Sequence, residues 1–291
     1  MGKYGIAFVT LIVGLTAIST SGAASWNTVR GRFERTFTVN GPVELQIKNG
    51  SGDITVREGG PGSVEVRAKI YSGNGWFGGG VDASKVHAIE SNPPVEQFGG
   101  TIRIKEPEGF RNVSIDYEIS VPANTRVRSE TGSGDVTVEG ISGPAEIATG
   151  SGDVKIRSVH GNIRAETGSG DARLQGIDAE RVEVKTGSGD VDLRELRCAL
   201  QAETGSGDVQ AEGRPTGHWR LNTGSGEVTL HLPSDLGFDL AARSDSGDVH
   251  TSGKFSITVQ GAMRNGEVHG KVRGGGIPVD VQTGSGDITI D

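Results

Sequence analysis

The stretch that decides the fold is ETGSGDVTVEG, residues 130–140. It returns as ATGSGDVKIRS (148–158), ETGSGDARLQG (166–176), KTGSGDVDLRE (185–195), ETGSGDVQAEG (203–213), NTGSGEVTLHL (222–232), RSDSGDVHTSG (243–253) and QTGSGDITID (282–291). An isolated early copy, NGSGDITVREG, sits at 49–59. The acids of the array are Asp135, Asp153, Asp171, Asp190, Asp208, Glu227, Asp248 and Asp287, with gaps of 18, 18, 19, 18, 19 and 21 residues up to Asp248. A degraded unit, RNGEVHG, puts Glu267 in register between the last two. A constant period near 20 residues marks a stacked repeat protein.

Within each unit the apolar residues alternate. One and three after the acid stand Val136/Val138, Val154/Ile156, Ala172/Leu174, Val191/Leu193, Val228/Leu230 and Ile288/Ile290. Eight and six before it stand Ala145/Ile147, Ile163/Ala165, Val182/Val184, Leu200/Ala202, Trp219/Leu221, Leu240/Ala242 and Val279/Val281. Period two means strands with one buried face. One more apolar residue follows six after the acid: Ile141, Val159, Ile177, Leu196. Five inward side chains cannot form a core alone, but equivalent strands stacked about 4.8 Å apart share one. The expected fold is all-β, a single-stranded β-solenoid of about 18–20 residues per coil. No stretch after the leader shows a helical period, so no helix is expected.

The corner residues have physical reasons. The second glycine, at Gly134, Gly152, Gly170, Gly189, Gly207, Gly226, Gly247 and Gly286, reads as a structural turn position needing positive φ. Asp245 in place of the first glycine fits the same reading. The threonine four before the acid, from Thr131 to Thr283, is expected to form a hydroxyl ladder. The acids carry a cost, because carboxylates about 4.8 Å apart repel by roughly 1 kcal/mol even in water. The favoured remedy is that each carboxylate accepts hydrogen bonds from the amides of its own turn and is solvated outside. The sharper alternative is Ca²⁺ bridging neighbouring coils, with Asp135, Asp153, Asp171, Asp190 and Asp208 as candidate metal ligands.

Residues 26–125 read as an irregular β region continuous with the solenoid at 126–291. Within it, SGNGWFGGGVDASK (72–85) carries Trp76 and Phe77, candidate partner contacts or else a flap over the sheet edge. The last strand, ending one residue after Ile290, is expected at an open edge, which invites an edge-to-edge homodimer.

At the N-terminus, Lys3, the apolar run GIAFVTLIVGLTAI (5–18) and the small residues STSGAAS read as a signal peptide over 1–24. The expected location is therefore outside the cytoplasm, in the periplasm, on the outer surface or in the medium. No second apolar span follows, so no transmembrane segment is expected after cleavage. Cys198 is alone and forms no internal disulfide.

Glycine is the compositional outlier at 48 of 291 residues, over twice an ordinary share of about 7%. Net charge is −8, and no basic stripe with interleaved aromatics occurs, which argues against nucleic acid. The six histidines are dispersed without metal or catalytic spacing, and no glycine turn continues into the G-K-[ST] of a phosphate loop. No catalytic residue and no cofactor is expected. The enzymatic rival is a polysaccharide-cleaving β-helix, which would break the repeat locally around a carboxylate pair.

FERTFTVNGPVELQIKNGSGDITV (33–56), SNPPVEQFGGTIRI (91–104), VSIDYEISVPANTRV (113–127) and the TGSGDV array together resemble the bacterial putative-adhesin β-strand-repeat family, a domain of unknown function. The resemblance covers about 33–291, and it implies a β-solenoid in a bacterial envelope context. The expected function is an exported, non-catalytic structural and interaction module, adhesin-like, meeting a protein or glycan at the cell surface. A carbohydrate-active β-helix protein is the alternative.

Overall fold

Alternating side chains dictate two long ladders, and the computed structural model contains both. It describes residues 29–72, 83–107, 109, 113–252, 257–259 and 266–291. Trp76 and Phe77 lie outside the described residues, as does the leader.

The strand before each corner forms the first ladder. Thr125–Ser133, Ala145–Ser151 and Ile163–Thr167 pair in parallel and in register, Thr131 against Thr149 against Thr167. The ladder continues through the second halves of Ala172–Thr186, Val191–Ser206 and Val209–Ser225. The strand after each corner forms the second ladder, Val136–Glu139, Val154–Val159 and the first halves of the same three long strands. Every apolar position read from the repeat is buried, at 3% exposure or less. The side chains six after the acid, such as Ile141 and Leu196, are buried with them. Trp219 is the largest fully buried side chain among the described residues, and its indole N–H donates to the Cys198 carbonyl at 2.9 Å.

A second corner follows five residues after the acid. Gly140 (φ 76°) and Gly176 (φ 67°) take left-handed backbone there, and so do Ser158 (φ 52°) and Glu195 (φ 54°). A residue with a Cβ loses about 1–2 kcal/mol in that region. Ser158→Gly is therefore expected to gain about 0.5–1 kcal/mol, seen as a melting temperature higher by about 2 °C. An unchanged or lower value would mean that this corner carries no strain.

Stacking order is where the repeat misleads. Ile277–Ser285 pairs in parallel with Val209–Ser225 on one side and with Phe238–Ser246 on the other. Ile288–Ile290 likewise lies between Val228–His231 and Val249–Thr251. The final copy is inserted between two earlier ones, so the expected open edge at Ile290 does not exist, and the homodimer argument built on it falls. Glu267 is not a rung either: Glu267–Val272 runs antiparallel to Phe238–Ser246, with Glu267 opposite Arg243.

The N-terminal side repeats the device. Val43–Ser51 sits between Thr101–Ile104 and Thr125–Ser133, and Ile54–Glu58 between Val113–Val121 and Val136–Glu139. Antiparallel strands then close this end: Val95–Phe98 on Thr101–Ile104, and Ser63–Ser72 with Val29–Thr38 on Val113–Val121.

A helix, Ala83–Ser91, departs from the expectation of none. It is short, and only Val86 and Ile89 are buried, which leaves little periodic signal in the sequence. Glu90 accepts the Arg32 backbone N–H at 2.9 Å, so the helix satisfies part of an edge strand.

Candidate functional site

The glycine and carboxylate corner is the most repeated feature of the surface. Its geometry differs from the sequence expectation in three ways.

The threonines are inward and buried, but they do not bond to one another. Thr149 Oγ1 donates to Gly134 O at 3.1 Å and Thr167 to Gly152 O at 2.9 Å. Thr186, Thr204, Thr223 and Thr283 repeat the bond to Gly170, Gly189, Gly207 and Gly226. Each hydroxyl thus satisfies the backbone of the coil beneath.

The second glycine is required chiefly by that same closeness. A Cβ on Gly152, Gly170 or Gly189 would overlap the carbonyl of the equivalent glycine one coil away. Gly134 (φ 139°), Gly207 (φ 159°), Gly226 (φ 156°) and Gly286 (φ 138°) carry positive φ, and Gly152, Gly170, Gly189 and Gly247 do not. Asp245 is not among the left-handed residues, so it gives no support to a φ requirement at the first glycine.

The carboxylates bond across coils, not within their own turns. Asp135 Oδ1 accepts the Asp153 N–H at 2.9 Å, Asp153 accepts that of Asp171 at 3.1 Å, and Asp171 that of Asp190 at 2.9 Å. Asp190 and Asp208 continue the series to Glu227, and Asp287 accepts from Asp248. It begins before the first corner: Asp116 accepts from Asp53, which accepts from Asp135. Asp116 has no glycine corner and was invisible to the motif.

Repulsion along the row is relieved in its first half by bases two residues after the acid. Lys155 bridges Asp135 at 2.9 Å and Asp153 at 3.5 Å, and Arg173 bridges Asp153 at 3.0 Å and Asp171 at 2.6 Å. Burial works to raise the Asp153 carboxyl, but the Asp171 amide, Lys155 and Arg173 outweigh it and hold it below its ordinary range. Glu118 and Glu130 are also held low, by hydrogen bonds from Lys69 and Lys48. A depressed folded-state value stabilises above the unfolded value and is lost as pH falls through the folded one. The melting temperature is expected to be flat from about pH 7 to 5 and to fall below about pH 4. A curve that stays flat to pH 2.5 would show that the row contributes nothing.

Among the described residues no three His, Cys, Asp or Glu side chains gather to hold a metal ion. Burial pushes the Cys198 thiol up to about 12, which makes it an inert packing residue at neutral pH. Along the rim of the corner the serines Ser133, Ser151, Ser169, Ser188, Ser206, Ser225 and Ser285 are exposed. No helix among the described residues is long and apolar enough to cross a membrane.

Two parallel ladders joined by a Gly-Ser-Gly corner, with amide-capping acids, define a nearly all-β protein of stacked strand repeats. The chain belongs to the Toastrack DUF4097 family, whose model matches residues 96–291. Solved structures with a similar fold include a putative adhesin from Bacteroides fragilis, at 15% identity and a TM-score of 0.50, covering 89% of this chain and 97% of that one. A putative cell adhesion protein from Clostridium sporogenes matches at 17% identity and a TM-score of 0.33, with 89% and 98% covered. None of the curated proteins matches the chain.

Proposed function

We propose that this chain is an exported, non-catalytic β-solenoid serving as a structural and interaction module of the bacterial cell envelope, adhesin-like in role. One observation carries the reading: the residues with chemistry at the corner are spent on the next coil. Each Asp Oδ1 from Asp135 to Asp208 holds a backbone N–H, and each threonine hydroxyl from Thr149 to Thr223 holds a carbonyl. A catalytic carboxylate pair would need free oxygens facing a cleft and a local break in the repeat. What remains for the surroundings is a long, rigid pair of outward faces, suited to contact rather than turnover.

Membership of the Toastrack family and similarity in fold to a Bacteroides fragilis protein described as a putative adhesin support this reading. The proposed organisation is a signal peptide at 1–24, a capping region at 26–125 and the repeat stack at 126–291. Fractionation of cells expressing the full chain tests export, and adhesion of a deletion strain to host or bacterial surfaces tests the role. Retention in the cytoplasm would overturn the first. Release of reducing sugar from a polysaccharide would overturn the second in favour of an enzyme.

The stack is further proposed to need no calcium, since its acids already hold amides and, in the first half of the row, bases as well. Millimolar Ca²⁺ or a chelator is expected to leave the melting temperature unchanged. A rise of several degrees with Ca²⁺ would instead assign Asp135, Asp153, Asp171, Asp190 and Asp208 as ligands.

A further inference from the structure

We infer that a notch on the first ladder, lined by Arg181, Ala199, Leu200, Gln201, His218 and Arg220, is a subsite for one anionic sugar residue of a surface polysaccharide. The inference rests on the reading of the chain as an envelope interaction module and names the ligand class of that module.

The outward side chains of this ladder form an ion-pair mosaic from coil to coil. Arg128 meets Glu146 at 3.6 Å, Arg164 meets Glu183 at 3.1 Å, and Lys185 meets Glu203 at 3.5 Å. Neutral side chains interrupt the mosaic, at Ala148 between Glu130 and Glu166 and again at Gln201. Gln201 stands between Glu183 and Arg220, and Ala199 follows Arg181 in the next row. Ala199 is the shortest side chain of its row, so the surface dips there, leaving a cavity of about 200 Å³.

Two guanidinium groups stand around the dip, with the Asp280 carboxylate beside His218 and Arg220 and Glu203 holding the Gln201 amide at 2.7 Å. Arg181 is exposed, and its guanidinium reaches only the neutral Gln201 Oε1, at 3.3 Å. No carboxylate pairs with it among the described residues. Arg220 has only a long contact to Asp280 at 3.8 Å, because that carboxylate is taken by His218 at 2.8 Å. Two guanidinium groups, one without a carboxylate and one 3.8 Å from its own, thus flank one depression. Their planar forks fit a carboxylate or another oxyanion.

Size and shape favour a sugar over a bare ion or a peptide. Arg181 and Arg220 belong to strands two rungs apart, roughly 10 Å by strand spacing, more than one oxyanion bridges. A pyranose ring with an acidic substituent fills that span and can lay its apolar face on Ala199 beside the His218 ring. The cavity is smaller than a drug-sized site of about 300 Å³ or more, which suits one ring of a chain. An acidic peptide would gain most by adding a strand to a free edge, and these strands are paired on both sides.

The test uses the full mature chain and isothermal titration with four probes: oligogalacturonate, its neutral methyl ester, a sulfated oligosaccharide and polyglutamate. Oligogalacturonate is expected to bind and its methyl ester not to bind. Arg181→Ala and Arg220→Ala should each weaken binding about tenfold or more, while Arg164→Ala, an ion-paired arginine on the same face, should leave it unchanged. Binding of either acidic sugar supports the assignment, and their ratio identifies the group as carboxylate or sulfate. Equal binding by the methyl ester, indifference to Arg181→Ala, preference for polyglutamate, or no binding at all would overturn it. If adhesion requires the chain yet the R181A protein adheres normally, the notch falls and the envelope reading stands. A chain retained in the cytoplasm that still binds the sugar would sink the envelope reading alone.

Discussion

Gly170→Ala is expected to lower stability by about 3 kcal/mol, a fall in melting temperature of about 6–12 °C. The new methyl would overlap the Gly152 carbonyl of the adjacent coil, which is backbone and cannot rotate away. Relief means separating two coils at the corner, where hydrogen bonds hold them. Val154 N–H donates to Asp171 O at 2.9 Å, Thr167 Oγ1 to Gly152 O at 2.9 Å, and Asp171 N–H to Asp153 Oδ1 at 3.1 Å. Loss of about 1 kcal/mol from each gives the figure. Gly170 does not lie in the left-handed region, so its cost is one of space alone, whereas Gly134 combines the same overlap with a positive φ.

The first glycine supplies the comparison. A Cβ at Gly168 would also press on the backbone of the coil beneath, but on a single carbonyl, that of Gly150. The molecule already carries an aspartate at the equivalent position, Asp245, beside Gly284. Gly168→Asp is therefore expected to cost about 1 kcal/mol or less, comparable to an ordinary surface change. Thermal unfolding of the two variants beside Ser169→Ala decides the matter. Equal, small losses in all three would mean that the corner does not hold the coils at fixed spacing.

The periodic part of the fold was legible because local chemistry fixes it. Alternation marks the inward residues, and the Thr-Gly-Ser-Gly-Asp corner marks where the chain turns. What was not legible is long-range. Near-identical copies present near-identical edges, so nothing local says which copy lies on which, and the insertion of 277–290 left no mark in the repeat itself. Asp116 occupies a place in the carboxylate row through strand register alone. Ser158 and Glu195 take left-handed backbone against their own preference, so the second corner has no residue signature. In the sequence Lys155 and Arg173 are only polar positions between alternating apolar ones. Their role appears once Asp135, Asp153 and Asp171 are seen to line up within reach of both.

Charge does hint at the insertion, and this leads to the second large effect. If stacking followed the sequence, Phe238–Ser246 would lie on Val209–Ser225 and Arg220 would face Ala241, which holds no charge. The inserted strand brings Asp280 opposite Arg220 and within 2.8 Å of His218. It also brings Asp291 to His231 and lets Leu232 N–H donate to Asp291 O at 2.9 Å. Deleting 277–291 therefore removes a middle layer, not an end one. Val279, Val281, Ile288 and Ile290 are all buried, and at about 1.5–3 kcal/mol each their loss forfeits roughly 6–12 kcal/mol of gross burial. That rivals the whole stability of an ordinary domain, about 5–15 kcal/mol. The layers Phe238–Ser246 and Glu267–Val272, which reach the stack through the deleted strand, are expected to come away together, while the coils up to His231 hold. Limited proteolysis with mass spectrometry should then find cleavage beyond residue 231 and a protected fragment ending near it. Protection of the truncated chain through residue 272, with an unchanged melting temperature, would show that Phe238–Ser246 docks directly on Val209–Ser225 and that the insertion is dispensable.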